Sequence, residues 1–253
     1  MWKRRRIRVI AVVTSGKGGV GKSTVCVGLA CALADRGQRV LVIDTDAGLR
    51  SLDLMMGVAE NAVHDLGDIF RRECDPQSTI CPSPIHENVF VIPAPNSLEE
   101  LCTPTEMTYL CRGLAEHFDT VLIDCPAGLG RGFQTAVAAA DRAILVATPD
   151  EVCARDAFFT SVRLDKLDIS YKMILNRVRP KAVKRGAMLD IDEVMDLAQV
   201  PLLGVLPEEE AVTLATSKGA GLPKKSYATQ CFKNIAARFC GESVPLARID
   251  KMT

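Results

Sequence analysis

Residues 15–24 read SGKGGVGKST, and their types and spacing suit the binding of a polyphosphate. The segment matches the pattern G-x-x-x-x-G-K-[ST], with Gly16 as its first residue and Lys22 and Ser23 as its last. Glycines let consecutive backbone N–H groups converge on one anion, and the N-terminus of a following helix adds partial positive charge. Such a lysine neutralises the β- and γ-phosphates, and the hydroxyl after it is a ligand of Mg²⁺. The loop therefore predicts binding of a nucleoside triphosphate with magnesium.

A second lysine, Lys17, stands before the usual one in the same loop. Lys22 already serves the phosphates, and another lysine from the same chain would crowd them. A single chain therefore does not account for Lys17, but a partner subunit could use it.

Carboxylates follow two further apolar runs. Residues 39–44 (RVLVID) end in Asp44 and are followed closely by Asp46, and residues 120–124 (TVLID) end in Asp124. Open α/β sheets bind ligands at the carboxyl ends of their strands. Because residues two apart on a strand share a face, we expect Asp44 and Asp46 to point together at the nucleotide. Asp44 and Asp124 then lie near Mg²⁺, and Asp46 orients the attacking water, since phosphoryl transfer depends mainly on positioning and charge stabilisation.

A parallel sheet is needed to bring these groups together. Short apolar, β-branched runs predict strands at residues 7–14, 39–44, 89–93, 120–124, 142–148, 170–176 and 202–206, with helical stretches between them. We therefore predict a single α/β domain, with a mostly parallel twisted sheet and helices on both faces. Residues 73–88 contain three prolines and are predicted to form a surface loop.

The lysine pair resembles a known family. KGGVGK at residues 17–22 is similar to the loop of the deviant Walker A ATPases, which are P-loop NTPases, and the order of later motifs is similar to that of their MinD branch. The later matching segments are GLRSLDLMMG (48–57), DCPAG (124–128), PDEV (149–152), RD (155–156), YKMILNR (171–177), RGAML (185–189) and GVLPE (204–208). The likeness runs from about Arg8 to Pro245 and implies a P-loop NTPase fold. It also implies an ATP-bound homodimer, in which Lys17 crosses the interface to the other subunit's nucleotide and Asn176 reads adenine.

Loop chemistry and resemblance together give a full set of site residues. Catalytic roles are assigned to Asp46, Lys17 and Lys22. Nucleotide contacts are assigned to Gly16, Lys17, Gly18, Gly19, Val20, Gly21, Lys22, Ser23, Thr24, Asn176, Arg177, Pro207 and Glu208. Magnesium ligation, directly or through water, is assigned to Ser23, Asp44 and Asp124. The cofactors on this interpretation are ATP and Mg²⁺.

The resemblance implies a slow, partner-stimulated ATP hydrolase that regulates septum placement in cell division. Ser51, Gly130 and Arg131 depart from the family pattern on partner-facing segments, so neither the division inhibitor nor the activator is identified. One alternative is a ParA-type partition ATPase that holds DNA on a basic face formed by Lys218, Lys224, Lys225, Lys233 and Arg238. Another is a MinD-like positioning factor for a different structure, such as flagella. A ligase or amidase built on this loop would carry extra insertions with polar substrate residues, and the sequence shows none.

Charge and chain ends limit the partners further. Lys plus Arg and Asp plus Glu number 31 each, so the net charge does not favour nucleic acid as the main partner. We divide the chain into a basic leader at 1–6, the ATPase domain at 7–245 and a short tail at 246–253. The tail is too short and polar for the usual amphipathic anchor, and residues 227–239 are predicted to form a core helix. We expect a cytoplasmic protein, with peripheral contact at the inner face of the membrane as an open possibility.

Ten cysteines raise the question of metal or disulfide chemistry. None forms a C-x-x-C pair, and most lie in apolar helical stretches, where a free cysteine behaves as a small hydrophobe. We therefore expect structural thiols in a reducing compartment. His64, His86 and His117 are scattered, and no ligand role is expected for them.

Overall fold

An eight-stranded sheet forms the centre of this computed structural model, which describes residues 8–47, 50–95 and 102–247. The strands are β1 (Val9–Thr14), β2 (Val40–Asp44), β3 (Cys81–Pro82), β4 (Val89–Ile92), β5 (Thr120–Asp124), β6 (Arg142–Ala147), β7 (Ser170–Val178) and β8 (Leu202–Pro207). Their order across the sheet is β3-β4-β2-β5-β1-β6-β7-β8. Neighbouring strands are parallel, except that β3 pairs antiparallel with β4. Every residue of β1, β2 and β5 is buried; since alternate residues face opposite sides, both faces of the central sheet are covered.

Helices lie between the parallel strands, and two more follow β8. They are α1 (Lys22–Ala34), α2 (Ser51–Met55), α3 (Leu66–Phe70), α4 (Pro76–Thr79), α5 (Pro104–Leu114), α6 (Arg131–Ala138), α7 (Glu151–Asp165), α8 (Pro180–Val183), α9 (Ile191–Ala198), α10 (Glu210–Ser217) and α11 (Tyr227–Phe239). The predicted α/β fold, with one mostly parallel sheet, is confirmed. Each of the seven predicted strands is present, with ends that differ by no more than two residues.

The first helix packs directly against the last. Gly28 of α1 has no side chain, and the ring of Phe232 on α11 occupies the space where a Cβ would stand. On the same helix α11, Cys231, Ile235 and Phe239 are buried, as expected for a core helix. The prediction that residues 227–239 pack inside the domain is therefore confirmed.

The stretch predicted as a plain surface loop, residues 73–88, contains regular structure, so that prediction was wrong. It holds α4 and the two-residue strand β3, whose Cys81 pairs with Val91 and whose Pro82 pairs with Phe90. An edge strand tolerates proline because it needs hydrogen bonds on one side only. Two residues are too few to leave a pattern in the sequence.

The predicted chain ends are only partly covered. The leader at 1–6, residues 48 and 49 of a family-like segment, and residues 248–253 of the tail lie outside the described residues. Among the helices that are described, none is long and apolar enough to span a bilayer.

Candidate functional site

The glycine-rich loop joins β1 to α1 and presents its two lysines differently. Gly19 and Gly21 have φ angles of 76° and 93°, in the left-handed region that glycine adopts without strain. Lys22 is the first residue of α1 and is only 8% exposed, whereas Lys17 is exposed. The hydroxyl of Ser15 donates to the carbonyl of Lys17 at 2.6 Å and fixes the turn. One lysine is therefore held inside the site, and the other is available to a second molecule.

The rest of the loop set lies where the sequence predicted. Gly16 to Gly21, including Gly18 and Val20, form the loop, and Ser23 and Thr24 follow Lys22 in the first turn of α1. A Cβ on Gly16 would stand 2.7 Å from the Asp156 Cβ, so the loop packs tightly on α7. The loop after β5 also contacts it, because the Gly128 N–H donates to the Ser15 carbonyl at 3.3 Å.

Asn176 near the end of β7 reaches the same loop. Its Nδ2 donates to the Val20 carbonyl at 2.8 Å, and the side chain is 7% exposed. Arg177 beside it is exposed and has a φ angle of 57°. Asn176 is thus brought to the phosphate-binding loop.

Pro207 and Glu208 lie at the end of β8. Pro207 is buried, and Glu208 is exposed and pairs with Arg179 at 3.3 Å between the Arg179 Nε and a carboxylate oxygen. Their assignment to the nucleotide stays a prediction from the sequence.

Two buried carboxylates stand side by side at the carboxyl ends of neighbouring strands. Asp44 on β2 and Asp124 on β5 are register partners, and each is 1% exposed. Asp46 joins them by a turn, because its N–H donates to Asp44 Oδ1 at 2.9 Å. β2 ends at Asp44, so the expectation that Asp44 and Asp46 share a strand face was wrong in its geometry. The turn is held by Thr45, whose N–H and Oγ1 bond the Asp124 carbonyl at 3.1 and 2.7 Å.

All three carboxyl groups have pKa values above the ordinary value for aspartate. Burial raises the pKa of Asp124 to about 6, against a hydrogen bond from Ser23 and the charge of Lys22, which lower it. Burial, and then the charge of Asp124, raise the pKa of Asp44 well above its ordinary value. The pKa of Asp46 is also raised by burial, while Lys22 acts to lower it. One buried lysine faces three carboxylates, so the site favours an added cation.

The donor set fits magnesium. Asp124 Oδ1 is buried and has no hydrogen-bond partner among the described residues, although nearly all buried polar atoms in proteins have one. Mg²⁺ prefers oxygen ligands and usually keeps several bound waters. The unpaired Asp124 oxygen can bind the ion directly or accept a hydrogen bond from one of these waters. Ser23, which hydrogen-bonds Asp124, and the register partners Asp44 and Asp124 therefore supply suitable oxygens close to one another.

Sequence reasoning missed a thiol inside the site. Cys26 is fully buried, and its pKa is raised well above the ordinary value by burial and by the charges of Asp124 and Asp44. It stays a neutral thiol that donates to Asp124. It lies three residues after Ser23 on α1, and this helical spacing was the available signal.

The start of α7 faces the exposed lysine. Asp150 caps this helix by accepting from the Cys153 N–H at 3.0 Å. Burial acts to raise the pKa of Asp150, but hydrogen bonds from Thr148 and the Cys153 N–H, together with the charge of Lys17, lower it overall. Lys17 thus stands within electrostatic reach of the PDEV segment.

Known proteins resemble this chain in sequence and in fold. Residues 11–222 match the family described as the CobQ/CobB/MinD/ParA nucleotide binding domain. The septum site-determining protein MinD of Synechocystis sp. is 39% identical over 241 residues, which are 93% of this chain and 91% of that protein. The MinC:MinD cell division protein complex of Aquifex aeolicus contains a chain with a TM-score of 0.86 and 34% identity, covering 95% of this chain and 99% of that one. The septum site-determining protein MinD complexed with Mg-ADP from Pyrococcus horikoshii has a TM-score of 0.82 and 29% identity, covering 91% and 95%.

Proposed function

The chain belongs to the CobQ/CobB/MinD/ParA nucleotide-binding family and, within it, to the MinD proteins, and on that premise we propose that it is an ATP-driven switch for placing the division septum. The observation that carries the proposal is the buried pair Asp44 and Asp124 beside Lys22. Burial raises the pKa of both carboxyl groups, and the charge of Asp124 raises that of Asp44 further, so the pair is costly unless a cation and its phosphates occupy the site. The family membership supplies the nucleotide, ATP, and the reaction, hydrolysis to ADP and phosphate.

Each side chain has a distinct task in that reaction. The loop N–H groups and Lys22 bind the β- and γ-phosphates, and Ser23, Asp44 and Asp124 hold Mg²⁺ directly or through water. Bound Mg²⁺ supplies charge neutralisation at the phosphate oxygens. Asp46, half-buried at the mouth of the site, orients the attacking water toward the γ-phosphate. Burial raises the pKa of Asp46 above its ordinary value, a direction that suits a group sharing a proton with that water.

The switch depends on two subunits. Lys17 is exposed and does not serve as the loop's own phosphate lysine. We infer that it reaches the nucleotide of a second copy, so that ATP holds a homodimer together and hydrolysis releases it. A surface that needs both subunits binds its partner more tightly when the two copies are joined. Such a surface would therefore act only in the ATP-bound dimer.

One relative supports a proposal for the partner. The Aquifex aeolicus complex joins MinC to MinD, and a division inhibitor of that kind is the proposed partner of this chain. We place the cycle in the cytoplasm, with peripheral contact at the inner face of the membrane in the ATP state. A positioning role for another structure, such as flagella, would use the same cycle.

A DNA-partition role has less support. It requires a free basic face, but two of the five candidate cations are engaged within the domain. Lys233 pairs with Asp35 at 3.6 Å, and Arg238 donates to the carbonyls of Val244 and Leu202 at 2.9 and 3.2 Å. We therefore do not propose DNA as the main partner.

The test uses the Asp46→Ala protein, which should bind ATP without turning it over. Light scattering in ATP and Mg²⁺ should give twice the 27.4 kDa monomer mass, and ADP should give the monomer. Lys22→Ala is the matched control and should stay monomeric in both. A monomer of Asp46→Ala in saturating ATP contradicts the proposal. Sedimentation of the verified dimer with anionic liposomes, and separately with a DNA fragment, then separates membrane recruitment from partition.

A further inference from the structure

Three side chains of different metal-ligating types meet at α3, away from the nucleotide site. His64 precedes the helix, Asp68 lies on it, and Cys74 follows it. One ligand atom from each of the three residues lies within 4.8 Å of the other two. Among the described residues, no other group of three or more His, Cys, Asp or Glu side chains meets this criterion. All three are half-buried, which leaves room for an ion and for water.

Local folding rules explain why these residues meet. Asp65 begins α3 with a capping box, accepting from the Asp68 N–H while the Asp68 side chain accepts from the Asp65 N–H. The helix ends in a tight reversal, with Arg72 at a φ angle of 61° and the Glu73 N–H donating to the Asp68 carbonyl at 2.9 Å. This reversal returns the chain to Asp68 and sets Cys74 beside it.

The spacing suits a small tetrahedral ion. Zinc bonds of about 2.0–2.3 Å place neighbouring ligand atoms of a tetrahedron about 3.3–3.7 Å apart. His64 Nδ1 lies 3.2 Å from Asp68 Oδ2, so these two are nearly at that separation already. The Cys74 sulfur is within 4.8 Å of both and needs to move by only about 1 Å to complete the face.

The surroundings hold the ligands in place and leave a route to them. The sulfur of Cys74 is 3.2 Å from the hydroxyl of Thr79 on α4, a contact that orients it. The Arg71 guanidinium contacts Asp68 through Oδ1, the oxygen that does not face His64. Cys74 also lines a cleft of about 1120 Å³ between the α3–α4 segment and α5, which gives an ion access from solvent.

We propose that His64, Asp68 and Cys74 bind one divalent ion of the zinc class, with water as the fourth ligand. Imidazole, carboxylate and thiolate together favour Zn²⁺ over Mg²⁺, so this site is chemically separate from the nucleotide's magnesium. Binding converts the Cys74 thiol to a thiolate, and the released proton goes to solvent. The bound ion links the residues just before α3 to the segment leading into α4, and so stiffens the start of residues 73–88.

Cobalt titration of the untagged, metal-stripped full-length chain tests the site. Saturating Mg²⁺ and ADP are present, so that the nucleotide site takes no Co²⁺. We expect one Co²⁺ per chain, a thiolate-to-cobalt charge-transfer band in the near ultraviolet, and displacement of the ion by Zn²⁺. Cys74→Ser should abolish the band, and His64→Ala should weaken Co²⁺ binding at least tenfold.

Matched variants control for other thiols and imidazoles. Cys240→Ser changes an exposed cysteine and His86→Gln a histidine outside the cluster, and both should bind Co²⁺ as the parent does. Zn²⁺ should raise the melting temperature of the parent and of these controls, but not that of Cys74→Ser, whose unchanged circular dichroism verifies its fold. A band that survives in Cys74→Ser would assign the metal to another thiol, such as Cys26, and overturn the proposal. So would the absence of any band in the parent protein.

Discussion

The Nδ2 amide of Asn176 donates a hydrogen bond to the carbonyl of Val20 at 2.8 Å and ties the end of β7 to the phosphate-binding loop. Both residues are buried, and 156 positions of sequence separate them. A Cβ on the neighbouring Gly21 would stand 2.4 Å from the same nitrogen. The loop is therefore braced from outside before any phosphate binds, which reduces the ordering cost of binding.

Replacing Asn176 by Ala should weaken both the fold and the site. The buried Val20 carbonyl loses its donor, and leaving such a group unsatisfied costs about 1–3 kcal/mol. Urea unfolding should show a lower midpoint with an unchanged slope, and a fluorescent ATP analogue should bind less tightly. Asn61→Ala, at an exposed position, is the control and should stay within about 0.5 kcal/mol of the parent. Parent-like stability of Asn176→Ala would show that this contact does not brace the loop.

The contact between α1 and α11 gives a second prediction. In a helix interior, Gly→Ala normally stabilises by about 1 kcal/mol. At Gly28 the new Cβ would lie 2.3 Å from the Phe232 Cζ, and Phe232 is 1% exposed, so its ring has no free space to enter. Overpacking of this kind costs about 1–3 kcal/mol, and Gly28→Ala should therefore be destabilising in urea unfolding.

Two further variants separate overpacking from helix propensity. Gly113→Ala on α5 meets no atom within 4 Å among the described residues and should stabilise the protein. Gly28→Ala combined with Phe232→Leu should lose less than the sum of the single changes. Equal stabilisation by Gly28→Ala and Gly113→Ala would contradict the tight contact.

Local chemistry made much of the fold and site predictable. The loop at residues 15–24 is defined by glycines and lysine at fixed spacing, and buried strands such as β1 and β5 are short apolar runs that end at turns. Parallel strands place their carboxyl ends at one edge, so Asp44 and Asp124 could be expected together.

What sequence could not supply was contact between distant segments. Nothing in the pattern indicates that Thr45 bonds the carbonyl of Asp124, so Asp46 was expected on the same strand face as Asp44 and not on a turn. β3 has only two residues, too few to show the alternation of a strand, and one of them is Pro82, which is rare in strands. Both features indicate a loop. Cys74 meets His64 only because the chain reverses after α3, and that reversal uses Arg72 where glycine is usual.

The raised pKa of Asp124 predicts a stability that depends on pH. Its folded value, about 6, lies above its ordinary value of 3.8, so the folded state holds a proton that the unfolded state has released between these values. Stability without ligand should therefore fall as pH rises from about 4 to about 6, and the buried Asp44, whose pKa is raised as well, adds to this fall. Asp124→Asn should reduce that slope, because it removes one titrating carboxyl group and also the charge that helps to raise the pKa of Asp44. Near pH 7 the variant should be more stable than the parent while failing to hydrolyse ATP. Urea unfolding at several pH values measures this, with the exposed Asp196→Asn as control. A slope as steep in Asp124→Asn as in the parent would assign the titration to another group.

Lys22→Ala should impair nucleotide binding, whereas Lys17→Ala should impair dimerisation and hydrolysis. Lys22 is buried at the start of α1 among the carboxylates, so its loss removes the cation that serves the protein's own phosphates, and binding of both ADP and ATP should drop at least tenfold. Lys17 is exposed, so Lys17→Ala should fold normally and bind ADP as the parent does. It should still lose the ATP-dependent dimer and most hydrolysis, because the inferred contact is made to the other subunit's nucleotide. Equilibrium binding of labelled ADP, light scattering in ATP and phosphate release measure the three properties on the same preparations.

Mixing Lys17→Ala with Asp46→Ala then decides whether Lys17 acts on its own subunit's nucleotide or on the partner's. An intact lysine from the Asp46→Ala subunit should restore hydrolysis in its Lys17→Ala partner, and no recovery in a verified mixed dimer would mean that Lys17 acts within its own chain.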